Sequence, residues 1–483
     1  MTQLVLDLHD IQGDILVPLQ KDVENFLFIK IVDKISFKDL LKNYAVGKIT
    51  NAQRAQQQEL AIERQKELGQ RELGEFVGLN LGFTKDGLSL LIGSQRLKFD
   101  PAFERSAAHY QTIELLNDPP CSTWVKKFLS DRIDGVFLLT GRHRSTVAFH
   151  SSELLRSLGG SIKVVYSELG NTRPGAERGH EHFGFLDGIS QPGIRGLMAS
   201  SNRIYKSDGR LPGQDLIWPG EFVFGYPGQN RKDPHKEGPP PEMAAPWMRN
   251  GSHMVFRRLE QKVPEFRRFV REQAARLGMD PELLAARMVG RWRSGAPMEL
   301  APQRDDPALG GNERRNNDFE FGDDSDQCKC PYAAHIRKVY PRDDARGGEA
   351  EVQRHRIIRS GIPFGPEVAP GETTTRHSRG LMFVCYQTSI ERQFEFIQRS
   401  YANNPNFVDG KVRPGGGGRV TPGFDPIIGQ APGNGAREID EPYPNYPTGN
   451  RRTTLEMPKQ FVELTAAAYF FMPSITALRT VLT

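Results

Sequence analysis

Three loops of this chain carry residue types suited to an acid–base or ligand site. The first is RGHEHFGFLDGISQPGIRG (178–196), rich in Gly, Pro, His and Asp. Its Asp187 could hold and return a proton. The plain alternative is a tight solvated turn, because Gly and Asp dominate turns. His180 and His182 could be read as a metal pair, but H-x-H on a strand points its side chains to opposite faces, and spacing places no third ligand. The second loop is DQCKCPYAAHIRKVYPR (326–342), where His335 lies in a short apolar turn followed by cations. A neutral imidazole can ligate a metal, although a lone His is more often a satisfied core or surface residue. The third is RHRIIRSGIPFGPEV (354–368), read as a strand ending in Arg359 at a loop mouth. A guanidinium there could stabilise developing negative charge, or simply face solvent.

These loops need elements to position them, and two segments read alike. In the first, FLFIKIV (26–32), EFVGLNLGF (75–83), DGVFLLTG (134–141) and SIKVVYSELG (161–170) have the apolar or alternating pattern of strands. FKDLLKNY, with Ser36 as a plausible N-cap, and SSELLRSLGG (151–160) read as helices, and a polar Gln-rich stretch (52–72) lies between. The second segment is looser. SHMVFRRLE (252–260), RHRIIRS (354–360), GLMFVCYQ (380–387) and FVELTAAAYFFM (461–472) read as strands. PEFRRFVREQAARLG (264–278) and the amphipathic SIERQFEFIQRSYANN (389–404) read as helices. Each segment has the order β-α-β-β-α-β, a ferredoxin-like unit. The expected fold class is α+β, with two such units and antiparallel sheets, the first over 1–206 and the second over 207–483. A Gly/Pro-rich stretch, about 207–250, joins them, and a second loop-rich region, 409–452, carries a GGGG run. Long loops of this kind usually serve or cover a site.

Composition narrows the classes. Among 483 residues, 64 basic side chains against 59 acidic ones leave a net charge of +5, too dilute to argue for nucleic acid or a membrane surface. No apolar run reaches the ~20 residues of a membrane span. Cys121, Cys328, Cys330 and Cys385 form no C-x-x-C, which removes zinc-ribbon, thioredoxin and c-type haem readings. The start, MTQLVLDLHDIQGDIL, lacks the basic and apolar regions of a signal peptide, so the expectation is a cytoplasmic protein or a mature secreted form with an added start Met.

In order along the chain, GFLDGISQP, CPYAAHIRKVYPR and RSGIPFGPEV resemble the dye-decolourising peroxidase family in its longer fungal-type branch. DIQGDIL, GRWRSGAPM (290–298), RGLMFVCYQTSIERQFEFIQRSYANNPNF (379–407) and GFDPIIGQ (423–430) agree, so the resemblance spans nearly the whole length. It implies one non-covalent haem b per chain, held in the C-terminal half. By resemblance, Asp187 is the distal acid–base and Arg359 the distal arginine. His335 is the iron ligand and Asp425 the carboxylate accepting its second N–H, while Leu381 and Phe383 line the distal pocket. The implied partners are hydrogen peroxide and aromatic reductants such as dyes and phenols, with neither nucleic acid nor membrane.

The residue types suit that chemistry. Heterolysis of peroxide needs a group that moves a proton between the two oxygens, and a fixed cation for the charge on the leaving one. A ligand His that donates to a carboxylate gains imidazolate character. Should His335 not be the ligand, His355 and His377 are next. One position departs from the family pattern. Some members carry an electron-passing Tyr five residues after the distal Arg, where this chain has Phe364. That leaves Trp124, Trp218, Trp247, Trp292, Tyr332, Tyr340 and Tyr386 as possible relays for bulky dyes. Two other readings stay open: a haem carrier or sensor on the same fold, and a non-haem metal hydrolase using His180, His182 and Asp187.

Overall fold

The computed structural model describes residues 4–69, 74–93, 99–197, 210–411, 419–440 and 454–483. The GGGG run lies outside them. Its main sheet contains β1 (Val23–Ile31), β2 (Gly78–Phe83), β3 (Gly135–Gly141), β4 (Ile162–Asn171), β5 (Ser252–Gln261), β6 (Ile358–Arg359), β7 (Ile362–Phe364), β8 (Gly380–Gln387) and β9 (Val462–Met472). The first half is ordered β4-β1-β3-β2 and the second β6/β7-β8-β5-β9, both antiparallel, with β6 and β7 following one another along the same edge of β8. Each half is therefore a ferredoxin-like sheet.

The two halves close on each other. Phe471 pairs with Phe83 at one seam and Phe364 with Gly170 at the other. Together with the pairing of β5 to both β8 and β9, this closes the strands into a ring. Alternate side chains fill two cores. Phe26, Phe28, Phe256 and Phe470 share one, and Leu27, Ile29, Val255 and Phe471 share the other. Phe28 and Phe256 stand on strands that are not neighbours, yet their rings lie 4.9 Å apart, so the first core fills the interior of the ring. The second lies outside, under the helices. This explains why β1 reads as a continuous apolar run: both of its faces are buried.

Several elements differ from the sequence reading. The helix expected after the first strand, Lys34–Leu40, is capped by Asp33, whose carboxylate accepts from Ile35 and Ser36 N–H. Ser36 donates its hydroxyl to Asp33 instead of capping. The Gln-rich stretch is helical over Ala52–Glu67, and the helix expected from 151 starts at Arg144. The strand expected at 354–360 is a 3₁₀ turn followed by the two residues of β6, because Ser360 turns its hydroxyl to Asp14 and its carbonyl to Lys21. The segment expected as an amphipathic α-helix at 389–404 runs as wide π turns over Glu391–Glu395 and Ile397–Ala402. Such turns are frequent at functional sites, and here Phe394, Ile397, Gln398 and Tyr401 all reach one cavity.

Candidate active site

That cavity opens on the outer face of the second half-sheet. Leu381 and Phe383 of β8 form its wall with their cross-strand partners Leu259 and Arg257 of β5. Asp187, His335 and Arg359 line the same space, so the structure brings five of the six expected residues to its surface and places Asp425 directly behind His335.

Asp187 sits on a loop that folds back on itself. His180 bridges to Leu186, the Asp187 N–H donates to the carbonyl of Gly179, and Gly188 takes φ +82°, a conformation side chains disfavour. Asp187 Oδ1 accepts from Arg359 Nη1 at 2.6 Å and from the Gly188 N–H at 2.6 Å. Asp187 and Arg359 keep 37% and 30% of their side-chain surface free, and that surface faces the cavity. Burial pushes the Asp187 carboxyl up, but the adjacent guanidinium outweighs it and holds the group below its usual value. The guanidinium thus favours the carboxylate form over the protonated one.

Arg359, the last residue of β6, is fixed by Gln191. The Gln191 side chain donates to the Arg359 carbonyl at 2.5 Å and accepts its N–H at 3.2 Å. Gln191 belongs to the same loop as Asp187, so one amide ties the acid to the cation. From the other side Ser360 donates to Asp14, within the DIQGDIL segment, at 2.8 Å.

His335 opens the short helix His335–Val339. Its Nδ1 lies 2.7 Å from Asp425 Oδ2, which assigns the proton to Nδ1 as donor. Among the described residues Nε2 has no hydrogen-bond partner, and the ring faces the cavity. Burial disfavours the imidazolium, but the charge and hydrogen bond of Asp425 override it and raise the ring's pKa. Asp425 is wholly buried, and its Oδ1 accepts from the Ile427 and Ile428 N–H groups at 2.8 and 2.9 Å.

The other candidate histidines lie in different settings. His355 is bound at both ring nitrogens, to the Arg392 carbonyl (2.5 Å) and Glu351 (3.2 Å), and stacks on Phe396 at 3.7 Å. His377 is exposed. His180 reaches two backbone carbonyls, and His182 gives Nε2 to the Phe364 carbonyl, with burial pushing its pKa down to about 4. Among the described residues no group of three or more His, Cys, Asp or Glu could hold a metal ion, so the pair has no further protein ligand for a hydrolase site.

A feature the sequence reading did not assign is a wall of cations. Arg291, Arg342 and Arg356 line the cavity. Arg291 binds two carbonyls and the Asn317 side chain, and burial pushes it down to about 9. Arg356 lies 3.6 Å over the Tyr340 ring, and its buried Nε has no partner among the described residues. Among the described residues Arg342 comes no nearer a carboxylate than 4.0 Å, at the exposed Glu320. Arg291 and Arg342 fall inside motifs already noted, but nothing in their spacing shows that they converge. A cavity with apolar walls, one unpartnered imidazole nitrogen and three under-compensated cations fits a flat apolar macrocycle carrying carboxylates.

Comparison with known proteins agrees. Residues 10–174 match the family model described as the DyP dimeric alpha+beta barrel domain, and 232–418 the one described as Dyp-type peroxidase, C-terminal. A dye-decolorizing peroxidase of Mycetinis scorodonius is 36% identical over 496 residues, covering 99% of this chain and 88% of that protein. A solved point mutant of the dye-decolorizing peroxidase from Pleurotus ostreatus is 38% identical with a TM-score of 0.85, covering 99% of this chain and 100% of the other. A dye-decolorizing peroxidase solved in complex with 2,6-dimethoxyphenol is 36% identical with a TM-score of 0.80, at the same coverage.

Proposed function

The chain belongs to the dye-decolourising peroxidase family and is a haem-dependent peroxidase, and from that premise we propose that Asp187 and Arg359 act on hydrogen peroxide while His335, backed by Asp425, ligates the iron. The observation that carries this is the pairing of the four residues two by two around one cavity. The working division is a first unit, 1–206, supplying Asp187, and a second, 207–483, supplying the rest.

The residues that would hold haem are His335 through Nε2, Arg291, Arg342 and Arg356 toward its carboxylates, and Leu381 and Phe383 against its apolar face. Bound haem supplies the redox chemistry, taking up the oxidising equivalents of peroxide and passing them to a reductant. Asp187 takes the proton from one peroxide oxygen and returns it to the other, directly or through one water. Its Oδ2 has no partner among the described residues, which leaves that oxygen free to do so. Arg359 cannot deprotonate, so it stabilises negative charge on the departing oxygen. Asp425 keeps His335 oriented by accepting Nδ1–H. A carrier has no use for the pairing of Asp187 with Arg359 beside the ligand.

The reductants are aromatic, phenols among them, as in the relative solved with 2,6-dimethoxyphenol. Bulky dyes give up electrons at the surface. Phe364 is buried beneath Arg258 and cannot serve as the relay. Of the seven candidate aromatics only Tyr340 lines the cavity, and its hydroxyl is bound to Asp215. The test is spectral: purified protein shows a haem Soret band that changes on adding peroxide and returns on adding a phenol. A protein without that band, or with one indifferent to peroxide, contradicts the proposal.

A further inference from the structure

Tyr469 of β9 stands one ring behind the wall of the cavity. Phe383 and Phe394 line the cavity with their ring centroids 6.1 Å apart, and the Tyr469 ring lies 6.4 Å from Phe394, edge-on at 70°. The phenol is 3% exposed, too little for a dye to meet it. Its hydroxyl donates to Glu395 Oε1 at 3.1 Å. Glu395 is wholly buried and follows Phe394 in the wide turn Glu391–Glu395, so one turn supplies both the ring toward the cavity and the carboxylate at the phenol. The other carboxylate oxygen accepts from Arg105 Nη2 at 2.9 Å.

A buried phenol needs an acceptor, but an amide or a backbone carbonyl would serve. Burying a carboxylate there is costly. What a carboxylate adds is a base within proton-transfer reach, ~2.6–3.2 Å between heavy atoms. Burial raises the proton affinity of Glu395 against the opposing pull of Arg105. A phenol loses an electron readily only when its proton can leave in the same step, because the phenol cation is far more acidic than the phenol.

We infer that Tyr469 and Glu395 form a buried store for one oxidising equivalent, filled when no reductant is at hand. This rests on haem occupying the cavity as proposed above. Once peroxide has oxidised the haem, one electron leaves Tyr469 for it, the phenol O–H bond breaks, and the proton passes to Glu395 Oε1. The products are a neutral tyrosyl radical and a protonated Glu395, and the haem has regained one of the two electrons given to peroxide. The store empties when a reductant's electron arrives through the haem and Glu395 returns the proton. An equivalent held there spares the haem when peroxide is in excess.

The experiment mixes the haem-loaded protein with one equivalent of peroxide, without reductant, and records electron paramagnetic resonance on the frozen mixture for wild type, Tyr469→Phe, Glu395→Gln and Tyr340→Phe. Haem survival under repeated additions of peroxide is followed by absorbance. Wild type is expected to show a radical whose hyperfine splitting collapses when the protein is made with ring-deuterated tyrosine. Tyr469→Phe and Glu395→Gln are expected to lose most of that signal and to bleach faster, and Tyr340→Phe to keep it. Glutamine still accepts the phenol's hydrogen bond but cannot take its proton, so a merely structural Glu395 predicts an unchanged signal in Glu395→Gln. That result overturns the proposal, as does an undiminished signal in Tyr469→Phe, a wild type without a tyrosyl signal, or loss of the signal with no faster bleaching. If Glu395→Gln does not retain haem, Tyr469→Phe, which removes one oxygen atom, decides on the same criteria. A wild-type haem spectrum that peroxide leaves unchanged sinks the proposed function instead, and this inference with it.

Discussion

The two acid-bearing pairs of the site are built in opposite ways. Asp425 is completely buried, with three hydrogen bonds to its carboxylate and the carbonyls of its turn gripped by Arg437. Asp187 stands on a glycine-flanked loop with over a third of its side chain open to the cavity, and both of its bonds go to one oxygen. The difference fits the roles proposed for them: a carboxylate that orients a ligand must not move, whereas one that carries a proton between two atoms needs a free oxygen and room to turn. What is fixed on the Asp187 side is the arginine, through Gln191.

The comparison can be broken first at the ligand. His335→Ala removes the proposed protein ligand to iron, so haem content after purification is expected to fall to near zero. Retention of full haem would falsify the assignment and with it the contrast between the pairs. The next effect tests the electrostatics of the mobile pair. Asp187 must be ionised to act, and Arg359 holds its pKa down against burial. In wild type the rate of reaction with peroxide should therefore persist below the ordinary carboxylate range, about 3.9, and fall only as pH drops through the depressed value. In Arg359→Leu burial acts unopposed, so the acid limb is expected to move to higher pH while the maximal rate falls. A limb that stays in place would show that Asp187 is not the group titrating. Asp425→Asn should slow the peroxide reaction less than loss of Asp187 does, because outer-sphere partners of a metal ligand typically contribute ~10–100-fold. An effect as large as that of Asp187→Asn would mean that the fixed acid, too, takes part in proton transfer. The smallest effect is at Tyr340, buried in the cavity wall: Tyr340→Phe should lower steady-state turnover of a bulky dye and spare a small phenol. Equal loss of both would point to direct access at the cavity mouth.

Much of this was legible in the sequence. Most strands were, because period and burial coincide: GLMFVCYQ forms a strand with the bounds read for it, and SHMVFRRLE does so to within a residue, whereas RHRIIRS keeps only two strand residues. Asp187, His335 and Arg359 were legible as types on loops, and the resemblance supplied their order. What sequence does not carry is convergence. Closure of two sheets into one ring depends on single pairings at Phe471 and Phe364. Gln191 lay inside a quoted motif, but its contact with Arg359 spans 168 positions. Nothing in the sequence marks Arg291, Arg342 and Arg437 as buried cations; folding makes them so. The cap at Asp33 was missed because Ser and Asp are equally good caps, and only the backbone shows which carboxylate or hydroxyl meets the helix.

The most direct test of the mobile acid is rapid mixing of peroxide with Asp187→Asn and with wild type, both loaded with haem and matched in their resting spectra. Asparagine keeps the size of the side chain and cannot shuttle the proton. The account predicts a second-order rate ~10²–10⁴-fold below wild type, with haem content unchanged. An unchanged rate would contradict it and leave Arg359, acting with water, as the group that divides the peroxide bond.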